Sequence, residues 1–223
     1  MRANGLTQIM MQLGQLNIHD KGEIYHTQSY TKTLFILQSG YVKRYRLLEN
    51  ERGAIELIYG PGHIFPLSQL YSNLFDLQLN QDNFVYVYQA MTKIKALSLR
   101  TTEILPALKK DSSLYIDLFY EAGLRLKSNI NRLASTAYKD NYSKIAHQLV
   151  SLAEEFGVAK MISGKMHLSI PIPLTSKDIS EQVNINLEDT DTVISSLVLR
   201  GLIVYKKNKF TIPDIDLLKD VYL

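Results

Sequence analysis

Residues 174–203 decide the fold of this 223-residue chain, and they read LTSKDISEQVNINLEDTDTVISSLVLRGLI. Thr175 and Asp178 have the three-residue spacing of a helix capping box, and Asn186 and Asp189 repeat that spacing further on. Apolar residues at helical spacing follow each pair. The stretch therefore predicts two helices that are joined by a tight turn.

A basic hairpin follows the second helix. Gly201 is placed to end that helix, as glycine often does just past a helix C-terminus. Residues 203–205 and 210–212 read as short strands around Lys206, Lys207 and Lys209. Helix, turn, helix and hairpin in this order predict a winged helix-turn-helix, a fold whose second helix enters the major groove of DNA.

The predicted DNA contacts fall into three groups. Groups at the start of the first helix and lysines of the wing suit phosphates, and side chains near the start of the second helix suit base edges. Glu188, for example, can accept a hydrogen bond from N4 of cytosine. The predicted contacts are Thr175, Ser176, Lys177, Asn186, Glu188, Asp189, Thr192, Lys206, Lys207 and Lys209.

Each of these assignments has a structural alternative. Glu188, Asp189 and Asp191 can stabilise the helix N-terminus through caps and the helix dipole instead. A lysine-rich hairpin is often only a solvated turn. Residues 138–223 contain ten basic and eleven acidic side chains, a net charge of about −1, and the whole chain carries +3. Charge alone therefore does not identify a nucleic-acid partner.

The N-terminal part has a different pattern. Residues 22–99 contain several short strand candidates that are separated by turns such as Ser39-Gly40 and Gly60-Pro61-Gly62. Strands at this spacing predict a sandwich or barrel. With the helices that follow, the fold class is α+β.

From Pro106 to Ala137 the apolar period is helical, which predicts a helix that approaches about 45 Å. A seam sustained over four heptads favours a partner helix, most simply that of a second subunit. The alternative is a helix that lies on its own β-domain. The predicted dimerisation residues are Tyr115, Leu118, Phe119, Ala122, Leu126, Ile130 and Leu133.

Composition excludes several classes of site. The chain has no cysteine, so it forms no disulfide, thiolate zinc site or cysteine-ligated iron–sulfur cluster. Its five histidines form no evident ligand pair, and we expect no metal and no cofactor. The first residues lack the apolar core of a signal peptide, and no run of about 18 apolar residues occurs, so we expect a cytoplasmic protein without a membrane span.

Three motifs in this order resemble the Crp/Fnr superfamily of bacterial transcription regulators. They are KGE at 21–23 with LFILQSGYV at 34–42, GPGHIF at 60–65, and the helix-turn-helix at 174–203. The resemblance implies a β-roll sensor domain at 1–104, similar to a cyclic-nucleotide-binding domain (a double-stranded β-helix). It also implies a dimerisation helix and hinge at 105–137 and a DNA-binding domain at 138–223. A homodimer on palindromic DNA, with RNA polymerase as a further partner, follows from the same resemblance.

The chain departs from that family at two places. Pro66-Leu67 stands where cyclic-nucleotide-binding members have Gly-Glu, and residues 68–87 contain no lysine or arginine to neutralise a phosphate. We therefore expect no cyclic nucleotide, and the effector is unknown. Leu187 and Thr192 stand where the family commonly places arginines in the second helix.

An apolar stretch surrounds the first of these departures. Residues Phe65, Leu67, Leu70 and Tyr71, with further apolar residues up to Leu77, either line a pocket for an apolar effector or simply pack between β-roll and helix.

Two other functions compete with transcription regulation. A cupin-type enzyme needs clustered histidines and a carboxylate for its metal, and the sequence contains no His-x-His, so we expect no enzyme. A family member that has lost DNA binding and acts through protein contacts, or as a sensor of a small apolar ligand, is the second alternative. The acidic second helix is its main support.

Overall fold

The structure is a computed structural model that describes residues 5–22, 24–26, 32–47, 53–75 and 86–223. The chain divides into two compact units, Met1–Leu126 and Lys127–Leu223. The division falls inside the long helix, whereas the sequence suggested a DNA-binding part that begins at residue 138. Among the described residues, no helix is both long and apolar enough to cross a membrane.

The first unit contains two antiparallel sheets with helices beside them. One sheet has the strand order β1-β8-β3-β6 and the other β2-β7-β4-β5. Its elements are α1 (Gly5–Leu13), β1 (Gln15–His19), β2 (Ile24–His26), β3 (Thr33–Ser39), β4 (Val42–Leu47), β5 (Gly53–Tyr59), β6 (Ile64–Phe65), α2 (Leu67–Phe75), β7 (Tyr86–Ala90), β8 (Ile94–Arg100), α3 (Thr101–Lys110) and the start of α4 (Leu114–Ala137).

Strand β3 shows how the first sheet is buried on both faces. Phe35 and Leu37 pack into a core between the two sheets. Leu34 and Ile36, which point the opposite way, pack into a second core with helices α1 to α4. The α+β prediction with an N-terminal sheet domain is confirmed. Residues 84–88 are one of the strand candidates in the sequence; 84 and 85 lie outside the described residues, and β7 covers the rest.

The long helix is shorter than expected. Asp111 ends α3 with an extended backbone, and its Oδ1 accepts hydrogen bonds from the N–H (3.0 Å) and the hydroxyl (2.7 Å) of Ser113. Helix α4 then runs for 24 residues, about 36 Å. The prediction of a single helix from Pro106 is therefore wrong. A turn held by the Asp111 side chain separates two helices, and the spacing of apolar residues gives no sign of that turn.

The second unit combines the end of α4 with helices around a four-stranded sheet of order β11-β12-β10-β9. Its elements are α5 (Asn141–Phe156), β9 (Val158–Ile162), β10 (Lys165–Ser169), α6 (Ser176–Val183), α7 (Leu187–Leu199), β11 (Val204–Lys206), β12 (Lys209–Ile212) and α8 (Ile215–Lys219). Helix α6, the turn, α7 and the β11–β12 hairpin follow one another as a winged helix-turn-helix does.

Candidate nucleic-acid interface

Helix α6 begins with a complete capping box. The Thr175 hydroxyl accepts from the Asp178 N–H at 3.1 Å, and the Asp178 carboxylate accepts from the Thr175 N–H at 2.9 Å. Asp178 is buried, while Thr175 and Lys177 are exposed and Ser176 is half-buried. Thr175, Ser176 and Lys177 therefore stand together at one helix start.

The turn between the helices depends on two asparagines. Asn184 ends α6 in the left-handed conformation (φ 56°), which asparagine tolerates better than most residues. Asn186 caps α7 by accepting from the Asp189 N–H at 2.7 Å. The Asp189 carboxylate in turn accepts from the side-chain amides of Asn186 (2.8 Å) and Asn141 (3.3 Å). These contacts give Asp189 a structural role, as the alternative interpretation anticipated.

Helix α7 has one buried and one exposed face. The buried face faces the core of the second unit and consists of Thr190, Val193, Ile194 and Leu197. Opposite it, exposed side chains recur at helical spacing, and they are Glu188, Thr192, Ser195 and Leu199. This face offers a carboxylate and hydroxyl groups and no cation.

The wing is a two-residue hairpin whose lysines point away from the core. Lys207 and Asn208 have φ values of 49° and 58°, the geometry of a type I′ turn. The Asn208 carbonyl accepts from the Leu174 N–H at 2.7 Å, which ties the hairpin to the segment before α6. Lys206, Lys207 and Lys209 are all exposed. The wing therefore holds three cations beside the start of α6.

A buried hydrogen-bond network, which the sequence did not indicate, joins the end of α4 to the helix-turn-helix. The Ser135 hydroxyl lies 2.9 Å from Gln148 Oε1 and 2.8 Å from His147 Nδ1. Gln148 Nε2 donates to Gln182 Oε1 at 2.6 Å, and Gln182 Nε2 donates to the Asp178 carbonyl at 3.2 Å. The network reaches from α4 through α5 to a residue of the α6 capping box.

Of the four residues predicted to line an effector pocket, Leu67, Leu70 and Tyr71 belong to one core and Phe65 to another. Phe65 stacks between the two sheets, with ring centroids 5.6 Å from Phe35 and 5.3 Å from Tyr88. Leu67 and Leu70 are buried in the other core, beside the helices, and the Tyr71 hydroxyl donates to the carbonyl of Leu118 at 2.7 Å. The alternative interpretation was that these residues pack between β-roll and helix, and the packing of Leu67, Leu70 and Tyr71 favours it.

The predicted dimerisation residues divide in the same way. Leu118 is only 2% exposed and packs in the core of its own unit, and Tyr115 packs against that core. Assigning Leu118 to a partner helix was therefore wrong. Ala122 is half-buried, and Gly123 continues the exposed stripe instead. The large side chains of the stripe are Ile116, Phe119, Leu126, Ile130 and Leu133.

The opposite side of α4 carries two buried side chains of opposite charge that sequence reasoning also missed. Glu121 and Arg125 are one turn apart and 5% and 7% exposed. Burial raises the pKa of Glu121, while Arg125 and a hydrogen bond from the Ile64 backbone lower it. Arg125 Nη1 donates to the Ile58 carbonyl at 3.4 Å, and its guanidinium lies 5.5 Å from the centroid of the Tyr59 ring.

His63 belongs to the same cluster. Its Nδ1 accepts from the Gly60 N–H at 3.0 Å, which requires the neutral ring. Burial, and then the nearby Arg125, lower the pKa of His63 to about 3. The imidazole is therefore neutral at physiological pH. Across the described ranges, no three histidine, aspartate or glutamate side chains are grouped so as to hold a metal ion.

Comparisons with known proteins agree with this architecture. Residues 143–221 match the family model of the Crp-like helix-turn-helix domain. No curated protein matches the chain.

Solved structures match along most of the chain. FixK2 from Bradyrhizobium japonicum is 14% identical with a TM-score of 0.72, over 95% of this chain and 98% of that chain. A CooA variant from Carboxydothermus hydrogenoformans is 16% identical with a TM-score of 0.71, over 97% and 90%. TTHA1359 from Thermus thermophilus, a transcriptional regulator of the CRP/FNR family, is 18% identical with a TM-score of 0.66, over 93% and 98%. The chain therefore carries a Crp-like helix-turn-helix domain and has the fold of the Crp/Fnr transcription regulators.

Proposed function

We propose that this chain is a sequence-specific DNA-binding transcription regulator that binds a palindromic site as a homodimer. The observation that carries the proposal is the pairing of an exposed α7 face with a lysine-bearing wing. Helix α7 offers Glu188 and Thr192 to base edges, and Lys206, Lys207 and Lys209 offer charge to phosphates. The start of α6, at 175–177, lies beside the wing and suits the same phosphate backbone.

The homodimer is supported by the stripe along α4. Its members follow one another at alternating intervals of three and four residues, the a and d pattern of a coiled coil. Phe119 is 64% exposed, Leu126 60%, and Ile130 and Leu133 55% each. Large apolar side chains in such a row would face water in a single chain, and a second copy of the helix covers them.

We propose no effector for this chain, and its residues disfavour a cyclic nucleotide. Residues 68–87 contain no cation, and Pro66 has no N–H to give to a phosphate. Arg44, on β4, is already paired with Glu56 at 2.8 Å. Residues 68–87 therefore offer no cation to a cyclic phosphate.

RNA polymerase is included among the proposed partners. The β9–β10 hairpin exposes Met161 and Met166, apolar side chains of the kind that protein contacts use.

Selection of binding sites from random duplex DNA tests the proposal directly. The purified full chain is used without added ligand, and selection is followed by a salt titration. An enriched palindrome supports sequence-specific binding by a homodimer. Absence of binding even at low salt contradicts it.

Binding is expected to depend on the wing. With Lys206, Lys207 and Lys209 all changed to alanine, affinity should fall for every sequence alike, because phosphates carry no sequence information. The slope of log K against log salt should become shallower by about one unit for each phosphate contact removed. Fluorescence anisotropy at several salt concentrations measures both quantities. Lys160→Ala on exposed β9 is the matched control. If the slope of the triple variant is unchanged, the wing does not contact DNA phosphates.

Disrupting the α4 stripe should separate the subunits. In Leu126→Gln, an amide replaces a 60% exposed leucine, and we expect the mass in solution to fall from that of two chains to that of one at low micromolar concentration. Lys127→Gln changes the next, exposed residue and should leave the mass unchanged. Analytical ultracentrifugation measures both. A dimer that tolerates Leu126→Gln as well as Lys127→Gln would place the interface elsewhere.

A second candidate function is a protein of this fold that has lost DNA binding and acts through protein contacts or as a sensor of a small apolar ligand. Glu188 and Asp191 are exposed on α7 and would meet the phosphates with negative charge. The salt titration separates the two functions, because this candidate predicts no binding to DNA at any salt concentration.

A further inference from the structure

We infer that Leu187 is a specificity-determining residue that contacts the C5-methyl group of a thymine in each half-site. The inference rests on the proposed DNA binding and names part of the sequence that is read. Leu187 is the first residue of α7 and directly follows the cap Asn186. In helix-turn-helix proteins, the N-terminal residues of the second helix contact base edges.

The packing of α7 leaves this leucine without a place in the core. Four residues of the helix fill the core, and Leu187 is not among them. Its side chain is 46% exposed. The cap holds the backbone at this point, because Asn186 Oδ1 accepts from the Asp189 N–H at 2.7 Å. An apolar side chain is thus held in water at the end of the helix that would meet the DNA.

The neighbouring side chains define which base chemistry this end can read. Helix α7 contains no lysine and no arginine, the residues that pair with O6 and N7 of guanine. Glu188 is an acceptor and suits N4 of cytosine. The Thr192 hydroxyl donates to the Glu188 carbonyl at 3.0 Å, within the helix itself. An apolar group among acceptors complements the thymine methyl group, the one apolar feature of the major groove.

The chemistry therefore predicts a half-site that contains a thymine read by Leu187 and a cytosine read by Glu188. A single exposed leucine is common on protein surfaces and needs no function by itself. The test must therefore isolate one methyl group on the DNA and one side chain on the protein.

Deoxyuridine provides that probe, because it differs from thymidine only by lacking the methyl group. Each thymine of the selected duplex is replaced in turn, and dissociation constants are measured for the unaltered chain, Leu187→Ala and Leu199→Ala. Leu199 is the matched control, since it is 88% exposed at the other end of α7. We expect one thymine position at which loss of the methyl weakens binding by about four-fold per half-site. In Leu187→Ala, the same replacement should change the dissociation constant by less than about two-fold. In Leu199→Ala, it should weaken binding by about four-fold, as in the unaltered chain.

The outcomes separate this inference from the proposed function. Two results would show that Leu187 does not contact a methyl group. Either no deoxyuridine replacement weakens DNA binding by the unaltered chain, or the replacement lowers the affinity of Leu187→Ala as much as that of the unaltered chain. Sequence-specific binding would stand in both cases. If the unaltered chain selects no sequence at all, the proposed function fails and this inference fails with it. A Leu187→Arg variant that selects guanine at the same position would further support it, because arginine pairs with O6 and N7 of guanine.

Discussion

Changing Arg125 to leucine is expected to destabilise the first unit by about 1–3 kcal/mol at neutral pH, because the buried Glu121 would lose the nearby positive charge that now lowers its pKa. Glu121 would then be a buried carboxylate without its cation. Total stabilities of domains are about 5–15 kcal/mol, so this single change is expected to remove a large part of the stability of the unit. Urea unfolding of the full chain measures it, with hydrogen exchange of β-roll peptides as the local readout.

The loss should grow with pH. Because burial raises the pKa of Glu121, the group contributes stability that is fully present below the ordinary value of 4.5 and is lost as pH rises through the pKa of the folded state. Without Arg125 that pKa rises further, so the difference between variant and unaltered chain should be small near pH 4.5 and larger at pH 8. His63 acts in the same direction, since removing Arg125 eases its protonation in acid.

Two controls make this prediction specific. Glu121→Gln combined with Arg125→Leu removes both charges and should recover most of the lost stability at pH 8. Lys93→Leu breaks the exposed ion pair with Asp20 and should change stability by less than about 1 kcal/mol. A double variant that is no more stable than Arg125→Leu, or a loss that is the same at pH 5 and pH 8, would show that the charge on Glu121 is not the cause.

The features that could be read from the sequence are those that local chemistry determines. Thr175 with Asp178 and Asn186 with Asp189 specify helix starts through contacts three residues apart, and the structure contains those contacts. The apolar period at 141–156 followed by glycine is likewise local, and Gly157 caps the end of α5. The two-residue wing turn at 207–208 is local in the same sense.

Features that depend on what lies opposite a helix could not be read in this way. Helix α4 has two apolar faces, and the helical period does not say which one meets the chain's own core. Leu118 therefore looked like part of a dimer seam, although it is buried in the core that α1 to α4 share. For Glu121 and Arg125, the sequence shows only opposite charges one helical turn apart. Such pairs are exposed on most helices, so the spacing does not predict that these two side chains are buried.

The network around Gln148 left no trace in the sequence, because buried glutamines have no characteristic spacing. It nevertheless connects three elements that must keep a fixed geometry if α7 is to meet DNA. Ser135 lies near the end of α4, Gln148 on α5, and Gln182 on α6. Since all three side chains are buried, each amide depends on its partners for hydrogen bonds.

Changing Gln148 to leucine is expected to cost the second unit about 2–3 kcal/mol. Leucine fills a similar volume but leaves the carbonyl oxygen of Gln182 without its donor, and an unsatisfied buried polar group costs about 1–3 kcal/mol. The hydroxyl of Ser135 still reaches the Asn131 carbonyl at 3.0 Å, so most of the loss should fall on α6. Hydrogen exchange measured by mass spectrometry should show faster exchange in α6 peptides and unchanged exchange in β-roll peptides.

A double-mutant cycle assigns this loss to the hydrogen bond between the two glutamines. Gln148→Leu and Gln182→Leu should each destabilise the unit, and the two together should cost clearly less than the sum, because neither amide is then left unpaired. Glu154 also lies on α5, and Glu154→Gln removes its surface ion pair with Lys219 of α8. This control should change stability by less than about 1 kcal/mol. If the two glutamine changes are simply additive, the side chains act independently. The geometry of α6, and with it the placement of α7, must then be set by apolar packing on α5 rather than by this network.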